Sequence, residues 1–188
     1  MVLRLEQRVA HSTREWEILC SSFVLIFDAV SKGGFTMNSA AVVYPISSII
    51  FLCKGNTCRS PMAEALARKA FNVRGLTGIR VESAGIGEYA RGKTAHEYSV
   101  VCMARRGIDI SGHQSRWVDD IEGFATRYDL YIPIDPEADA GLKQRGIPAD
   151  KIVFIDIVNP WEKGPEAYDA CADEIEEKVN VLAASLWL

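Results

Sequence analysis

The chain has little of what characterises metal enzymes, nucleic-acid binders and membrane proteins. Its three histidines, His11, His96 and His113, lie in separate segments without the spacing of metal ligands, so no metal is expected. The formal net charge of −4 offers no basic stripe for a nucleic-acid partner. No apolar run approaches the roughly 20 residues of a membrane span. The nearest candidate, Phe23–Phe27, is far too short and is flanked by acidic residues, so neither a membrane partner nor a secretory signal is expected.

The cysteine content gives no sign of a secreted disulfide scaffold. The five cysteines are an odd number without framework spacing. We expect Cys20, Cys102 and Cys171 to be buried, reduced thiols, because free cysteine is among the most buried residue types. A reducing cytoplasm is therefore the expected location.

Length and composition allow one domain with a short appendage. Of the 188 residues, 48% are hydrophobic and 24% are charged, close to the average for globular proteins. Residues 1–46 lack the clear periodicity of the rest. They are either a flexible extension or a stretch upstream of a true start at Met37, and both alternatives leave them outside the domain at 47–188.

From Ser48 onward, apolar runs alternate with helical segments. Ile49–Leu52 is a continuous apolar run typical of a strand buried on both faces. Further strands are predicted at 79–83, 128–134 and 151–155, and helices at 61–71, 95–106, 136–145 and 165–184. This alternation predicts an α/β fold with a four-stranded parallel sheet and helices on both faces. Ligands bind such sheets beyond the carboxyl ends of the strands, so the loop after the first strand is the candidate site.

That loop has a composition suited to binding phosphate. A loop between a strand and a helix start turns successive backbone N–H groups inward, and the helix adds its partial positive charge. Gly55 and Asn56 tolerate the left-handed backbone that such a turn needs. The expected phosphate-binding residues are Lys54, Gly55, Asn56, Thr57, Cys58, Arg59 and Ser60.

Three side chains of the loop suit cysteine-dependent phosphate chemistry. The positive field favours the thiolate of Cys53, the nucleophilic form of a cysteine. Arg59 can return its guanidinium fork to two phosphate oxygens, and Ser60 is placed to donate its hydroxyl to the sulfur. A bare Cys-x5-Arg pattern is common by chance, but here it is in register with Gly, Asn, Ser and Pro between a strand and a helix.

The sequence CKGNTCRSPMAE, from Cys53 to Glu64, resembles the phosphate-binding loop of the low-molecular-weight protein-tyrosine phosphatases. The segments 83–85, 106–113 and 128–135 also match that family, so the resemblance covers about Ile49 to the C-terminus. It implies a flavodoxin-like three-layer phosphatase fold. It also implies hydrolysis of phosphotyrosine or aryl phosphate through a phosphocysteine intermediate, without a cofactor.

The resemblance assigns roles to individual residues. Cys53 would be the catalytic nucleophile that becomes phosphorylated, and Arg59 would bind the phosphate and stabilise the transition state. Asn56 and His113 would hold the left-handed turn of the loop by hydrogen bonds, with Glu64 supporting them. Tyr89 and Trp161 would form opposite walls of the substrate cleft.

The match breaks at the general acid. Where the family has Asp-Pro followed by an aromatic residue, this chain has Asn159-Pro160-Trp161, and an amide cannot deliver a proton. General acid catalysis typically contributes about 10²–10⁴-fold. Three alternatives are open: a slow phosphatase, a different acid recruited from Asp156 or Glu162, or a pseudo-phosphatase that binds phosphorylated partners without turnover. Asp135-Pro136 corresponds to a structural position in the family and is not assigned to catalysis.

Two further loop residues carry expectations. Lys54 replaces the family's usual aliphatic residue, and is either a cation at the pocket mouth that favours highly charged substrates or an ordinary solvated lysine. Cys58 is expected to form a reversible disulfide with Cys53, as the family resemblance implies and as suits a reactive thiol beside a second thiol.

Other functions are less well supported. Arsenate reductases share a related fold and loop but need a closely spaced cysteine pair downstream, and here only Cys102 and Cys171 follow the loop, far apart. A binding module for phosphate or phosphotyrosine is the alternative from another class. The expected partners are a phosphorylated protein or small aryl phosphate, with inorganic phosphate as product.

Overall fold

The computed structural model describes residues 46–186. The expectations for His11, Cys20 and residues 1–45 lie outside this part of the chain. The elements in chain order are β1 (Ser48–Cys53), α1 (Arg59–Val73), β2 (Arg80–Gly85), α2 (Glu97–Arg105), α3 (Phe124–Arg127), β3 (Leu130–Pro133), α4 (Pro136–Gln144) and α5 (Pro165–Ser185), with 3-10 turns at Glu88–Ala90, Val118–Asp120 and Ala149–Lys151.

The sheet has the order β2-β1-β3, and both strand pairs are parallel. All six residues of β1 are buried. Ile49 and Phe51 belong to one apolar cluster, whereas Ile50 and Leu52 belong to the other, as the period of two along a strand requires. The apolar run at the start of the domain is therefore the central strand of the sheet, covered on both faces as predicted.

Helices cover the two faces unequally. The first cluster contains buried residues of α1, α2 and α5, which also pack against one another. The second cluster contains Phe124 of α3 together with Ala138 and Leu142 of α4. The predicted three-layer α/β architecture is confirmed. Helices α1, α2, α4 and α5 lie close to the predicted ranges, whereas the short helix α3 was not predicted. In the residues described, no helix has the length and apolar character needed to cross a membrane.

The prediction of a fourth strand at 151–155 is wrong. The segment runs beside β3, and the amides of Val153 and Ile155 donate to the carbonyls of Tyr131 and Pro133, both at 3.0 Å. Only Tyr131 and Ile152 pair as in a parallel sheet. Because Pro133 has no N–H group, it cannot donate the return bond that a continuous ladder needs. The sheet therefore has three strands in the part of the chain that is described.

The carboxyl ends of the strands meet at one edge of the sheet. Cys53 of β1 pairs with Gly85 of β2, and Leu52 pairs with Pro133 of β3. A Cβ atom at Gly85 would lie 2.4 Å from Cβ of Ala90 and 3.1 Å from a loop carbonyl, so this position requires glycine. This close approach brings the end of β2 against the loop that follows Cys53.

Candidate functional site

Cys53 ends the central strand with its thiol at the base of the loop. The residue is 3% exposed, and its Sγ lies 3.0 Å from Oγ of Ser60 in the first turn of α1. The backbone N–H of Asn56 donates to the same sulfur at 3.3 Å. Ser60 Oγ already accepts a hydrogen bond from the Asn56 amide at 2.9 Å, so its own hydrogen is available to the sulfur. Both contacts stabilise negative charge on sulfur.

Asn56 holds the loop in a left-handed turn. Its φ is 52°, in the region that asparagine tolerates better than most residues. Its side-chain amide donates to Ser83 Oγ at 2.9 Å, and its side-chain oxygen accepts from the backbone N–H of Arg116 at 2.9 Å. His113 Nε2 lies 2.8 Å from the Asn56 carbonyl. Because a carbonyl can only accept, Nε2 carries the proton.

Glu64 completes this buried network from helix α1. The Ser83 hydroxyl donates to Glu64 Oε2 at 2.7 Å. Arg68, one turn later on the same helix, pairs with Glu64 Oε1 at 2.7 Å. The expected supporting residues Asn56, His113 and Glu64 are thus brought together around the turn.

Arg59 is held by two partners from beyond the loop. Its side chain is buried, with Nη2 2.8 Å from Asp135 Oδ2 and Nη1 donating to the Ile157 carbonyl at 3.2 Å. Asp135 also accepts the backbone N–H of Lys54 at 3.3 Å and that of Ala138 at 2.7 Å, which caps α4. Sequence reasoning gave Asp135 a structural position but missed its contact with Arg59. The signal was available, since an acidic residue follows the strand next to β1.

Lys54 lies at the rim of the loop and is paired. Its ammonium is 3.0 Å from Glu137 Oε2, and both side chains are about half exposed. The hydrogen bond to Glu137 raises the pKa of Lys54. The lysine is therefore neither an uncompensated cation nor a purely solvated one.

The two expected walls lie at the surface. Tyr89 is 47% exposed and Trp161 is 49% exposed. The His96 ring meets Trp161 edge-on with a centroid distance of 5.2 Å and stacks on Tyr168 at 4.9 Å. The His96 backbone N–H donates to the Thr57 carbonyl at 2.8 Å, which ties this aromatic group to the loop. Sequence reasoning considered His96 only as a metal ligand and missed this position.

The segment expected to supply the general acid presents no carboxylate to the loop. Asn159 is exposed, and its side-chain oxygen accepts the Trp161 N–H at 3.3 Å. Asp156 and Glu162 are both exposed. Across residues 46–186, neither carboxylate forms a hydrogen bond or ion pair with the Cys53–Ser60 loop.

The remaining thiols are buried. Cys58 is 6% exposed, and its sulfur lies 3.5 Å from the Tyr168 hydroxyl. Burial raises the pKa of Cys58, and burial raises that of Cys171 to about 12. Cys53, Cys58, Cys102 and Cys171 are all free thiols. Within the described range, no group of three or more His, Cys, Asp or Glu residues could hold a metal ion.

Comparisons with known proteins relate the chain to phosphatases. The family model described as low molecular weight phosphotyrosine protein phosphatase matches residues 48–187. A probable low molecular weight protein-tyrosine-phosphatase, EpsP of Ralstonia nicotianae, is 33% identical over 142 residues, which cover 72% of this chain and 92% of that protein. A protein-arginine-phosphatase of Geobacillus stearothermophilus is 32% identical over 149 residues, covering 73% of this chain and 95% of its own length.

Solved structures agree in fold. A YwlE mutant from Bacillus subtilis matches with a TM-score of 0.66 and 28% identity, over 74% of this chain and 97% of that one. A protein tyrosine phosphatase from Entamoeba histolytica, solved with Hepes in its active site, matches with a TM-score of 0.68 and 25% identity. That match covers 74% of this chain and 96% of that one.

Proposed function

Because this chain belongs to the low molecular weight phosphotyrosine protein phosphatase family, we propose that it slowly hydrolyses phosphorylated protein side chains or aryl phosphates, with Cys53 as nucleophile. The observation that carries the proposal is the setting of the Cys53 sulfur, with Ser60 Oγ at 3.0 Å and the Asn56 N–H at 3.3 Å. Two donors directed at one sulfur suit a thiolate nucleophile and leaving group.

In the first step, the Cys53 thiolate attacks phosphorus in line with the leaving oxygen. The sulfur–phosphorus bond forms as the bond from phosphorus to the leaving oxygen breaks. Arg59 and backbone N–H groups of the loop hold the three equatorial oxygens, where the transition-state charge develops. The leaving oxygen takes its proton from solvent, because the side-chain amide of Asn159 is not an acid at neutral pH.

In the second step, water attacks the phosphorus of phosphocysteine. The new oxygen–phosphorus bond forms as the sulfur–phosphorus bond breaks, and the thiolate returns to the contacts of Ser60 and Asn56. A base would ordinarily take the proton of the attacking water. Asn159 cannot do so, and the proton passes to solvent water, which slows this step as well. Inorganic phosphate is the product.

The alternative function is binding of phosphorylated partners without turnover, and Asn159 is the observation that favours it. The contacts of Ser60 and Asn56 with the Cys53 sulfur support the enzyme instead, since a module that only binds phosphate gains nothing from an activated thiolate. An acid recruited from Asp156 or Glu162 would have to approach the loop from an exposed position.

The relatives suggest two substrate classes, because one is named a tyrosine phosphatase and another an arginine phosphatase. We place phosphotyrosine first, since the aromatic side chains of Tyr89 and Trp161 are exposed at 47% and 49% and can contact an aromatic ring. Paired peptides carrying phosphotyrosine or phosphoarginine in one sequence separate the two. Faster release of phosphate from phosphoarginine would reverse the order.

The decisive experiment compares hydrolysis of an aryl phosphate by the natural chain, by Asn159→Asp and by Cys53→Ser. We expect slow turnover by the natural chain and turnover about 10²–10⁴-fold faster by Asn159→Asp. Cys53→Ser should show no turnover, because it lacks the nucleophile. Robust turnover that Asn159→Asp does not improve would mean that another acid operates, with Asp156→Asn tested next. Phosphate binding without turnover by any variant would favour the binding module.

A further inference from the structure

The Tyr89 ring lies directly against the candidate site. A Cβ atom at Gly87 would come within 2.5 Å of the ring, and one at Gly55 would lie 3.4 Å from it. The ring therefore rests on the backbone of the phosphate-binding loop, and the absence of a side chain at Gly87 is what admits it. The Tyr89 ring therefore contacts the loop backbone while remaining about half exposed.

Lys93 lies beside the Tyr89 wall. Its ammonium lies 5.2 Å from the centre of the Tyr89 ring, a cation–π distance. The residue is exposed and forms no ion pair among residues 46–186. The neighbouring cations are matched, since Lys54 pairs with Glu137 at 3.0 Å and Arg91 with Asp120 at 2.6 Å. Lys93 is thus the uncompensated cation against the Tyr89 wall.

We propose that Lys93 determines peptide specificity, by attracting an acidic residue next to the phosphorylated side chain of the substrate. The inference rests on the proposed function and adds a substrate class to it, namely acidic phosphopeptides. A phosphorylated side chain that enters the loop beside Tyr89 leaves its flanking residues over the rim. A carboxylate there meets the Lys93 ammonium, which the ring holds above the surface.

The size of the effect is bounded by solvent. Exposed ion pairs contribute little binding free energy, so acidic residues beside the phosphorylated residue should strengthen binding by about two- to fivefold at low salt. The gain should shrink as ionic strength rises, because exposed charges are screened.

The test uses two phosphotyrosine peptides that differ only in having glutamate or glutamine on both sides of the phosphorylated residue. Their dissociation constants are measured by calorimetry in the Cys53→Ser background, so that turnover is not required. Lys93→Glu is compared with Lys69→Glu, an exposed lysine of α1 that receives the same charge change. The ratio of the two constants within each variant cancels any general change in binding.

We expect tighter binding of the glutamate peptide by the parent and by Lys69→Glu, and a lost or reversed preference in Lys93→Glu. Glu137→Gln should increase the preference, because it uncovers Lys54. An equal ratio in the parent and Lys93→Glu would overturn the inference, as would failure of both peptides to bind. Hydrolysis of an aryl phosphate by the natural chain keeps the proposed function separate, because it can persist when the peptide preference fails.

Discussion

Arg59 and Asp135 form a buried ion pair, with Nη2 2.8 Å from Oδ2, although 75 residues separate them in the chain. The carboxylate also accepts two backbone N–H groups, so its charge is compensated on several sides. Asp135, which caps α4, therefore holds in place the Arg59 guanidinium that we propose to bind phosphate.

Asp135→Asn should remove the negative charge that faces Arg59 but keep the cap of α4, because asparagine caps helices as well as aspartate does. Removing one partner of a buried pair typically costs about 3–5 kcal/mol, since the other charge is left unpaired. We expect a loss of that order in the free energy of urea unfolding, together with at least a tenfold fall in kcat/KM for an aryl phosphate. Asp139→Asn, on the same helix, is the control. Unchanged stability would mean that Arg59 finds another partner.

Asn56→Ala should destabilise the protein by about 2–5 kcal/mol, because the left-handed backbone becomes strained and buried groups of Ser60, Ser83 and Arg116 lose their partner. Asn56→Gly removes the same hydrogen bonds without the strain. It should therefore recover about 1 kcal/mol of the loss in urea unfolding. Equal stability of the two variants would contradict the role of the positive φ.

Cys58→Ala should abolish recovery from peroxide. We expect that, in the natural chain, peroxide oxidises Cys53 to the sulfenic acid, which then condenses with the Cys58 thiol, releasing water and forming a disulfide that dithiothreitol reduces. Without Cys58, oxidation continues to the irreversible sulfinic acid. The measurement is phosphatase activity regained after peroxide and then dithiothreitol, with Cys102→Ala as the buried-thiol control. Equal recovery by Cys58→Ala and the natural chain would exclude the disulfide.

The Asp119–Arg145 pair predicts a pH-dependent contribution to stability. Two hydrogen bonds of 2.7 Å from Arg145 lower the pKa of Asp119 below its ordinary value. A lowered folded-state pKa gives stability that is present above about pH 4 and is lost as the pH falls through the folded-state value. Asp119→Asn should cost at most about 1 kcal/mol at pH 7, since the pair is partly exposed. The difference from the natural chain should shrink as the pH falls below about 4, and a constant difference would contradict this assignment.

Short sequence patterns predicted those elements whose structure depends mainly on neighbouring residues in the chain. The apolar run at Ile49–Leu52 became the central strand, and the Gly-Asn pair in the loop became a turn with a left-handed residue. The prediction of a fourth strand at 151–155 failed because Pro133 of β3 has no N–H group to donate to that segment. This effect can be foreseen only when the segment is known to lie beside β3. The contact of Asp135 with Arg59 likewise depends on which strands are adjacent in the sheet.

Ile157 connects Arg59, in the phosphate-binding loop, with the segment that contains Asn159. Its amide donates to Ile134 at 3.1 Å, and its carbonyl accepts from Arg59 Nη1 at 3.2 Å, two residues before Asn159. A bound phosphate that accepts a hydrogen bond from Arg59 Nη1 would break the hydrogen bond between Nη1 and the Ile157 carbonyl. Occupancy of the pocket would then reach the segment that contains Asn159, because the Ile157 carbonyl loses a hydrogen bond when the anion is captured.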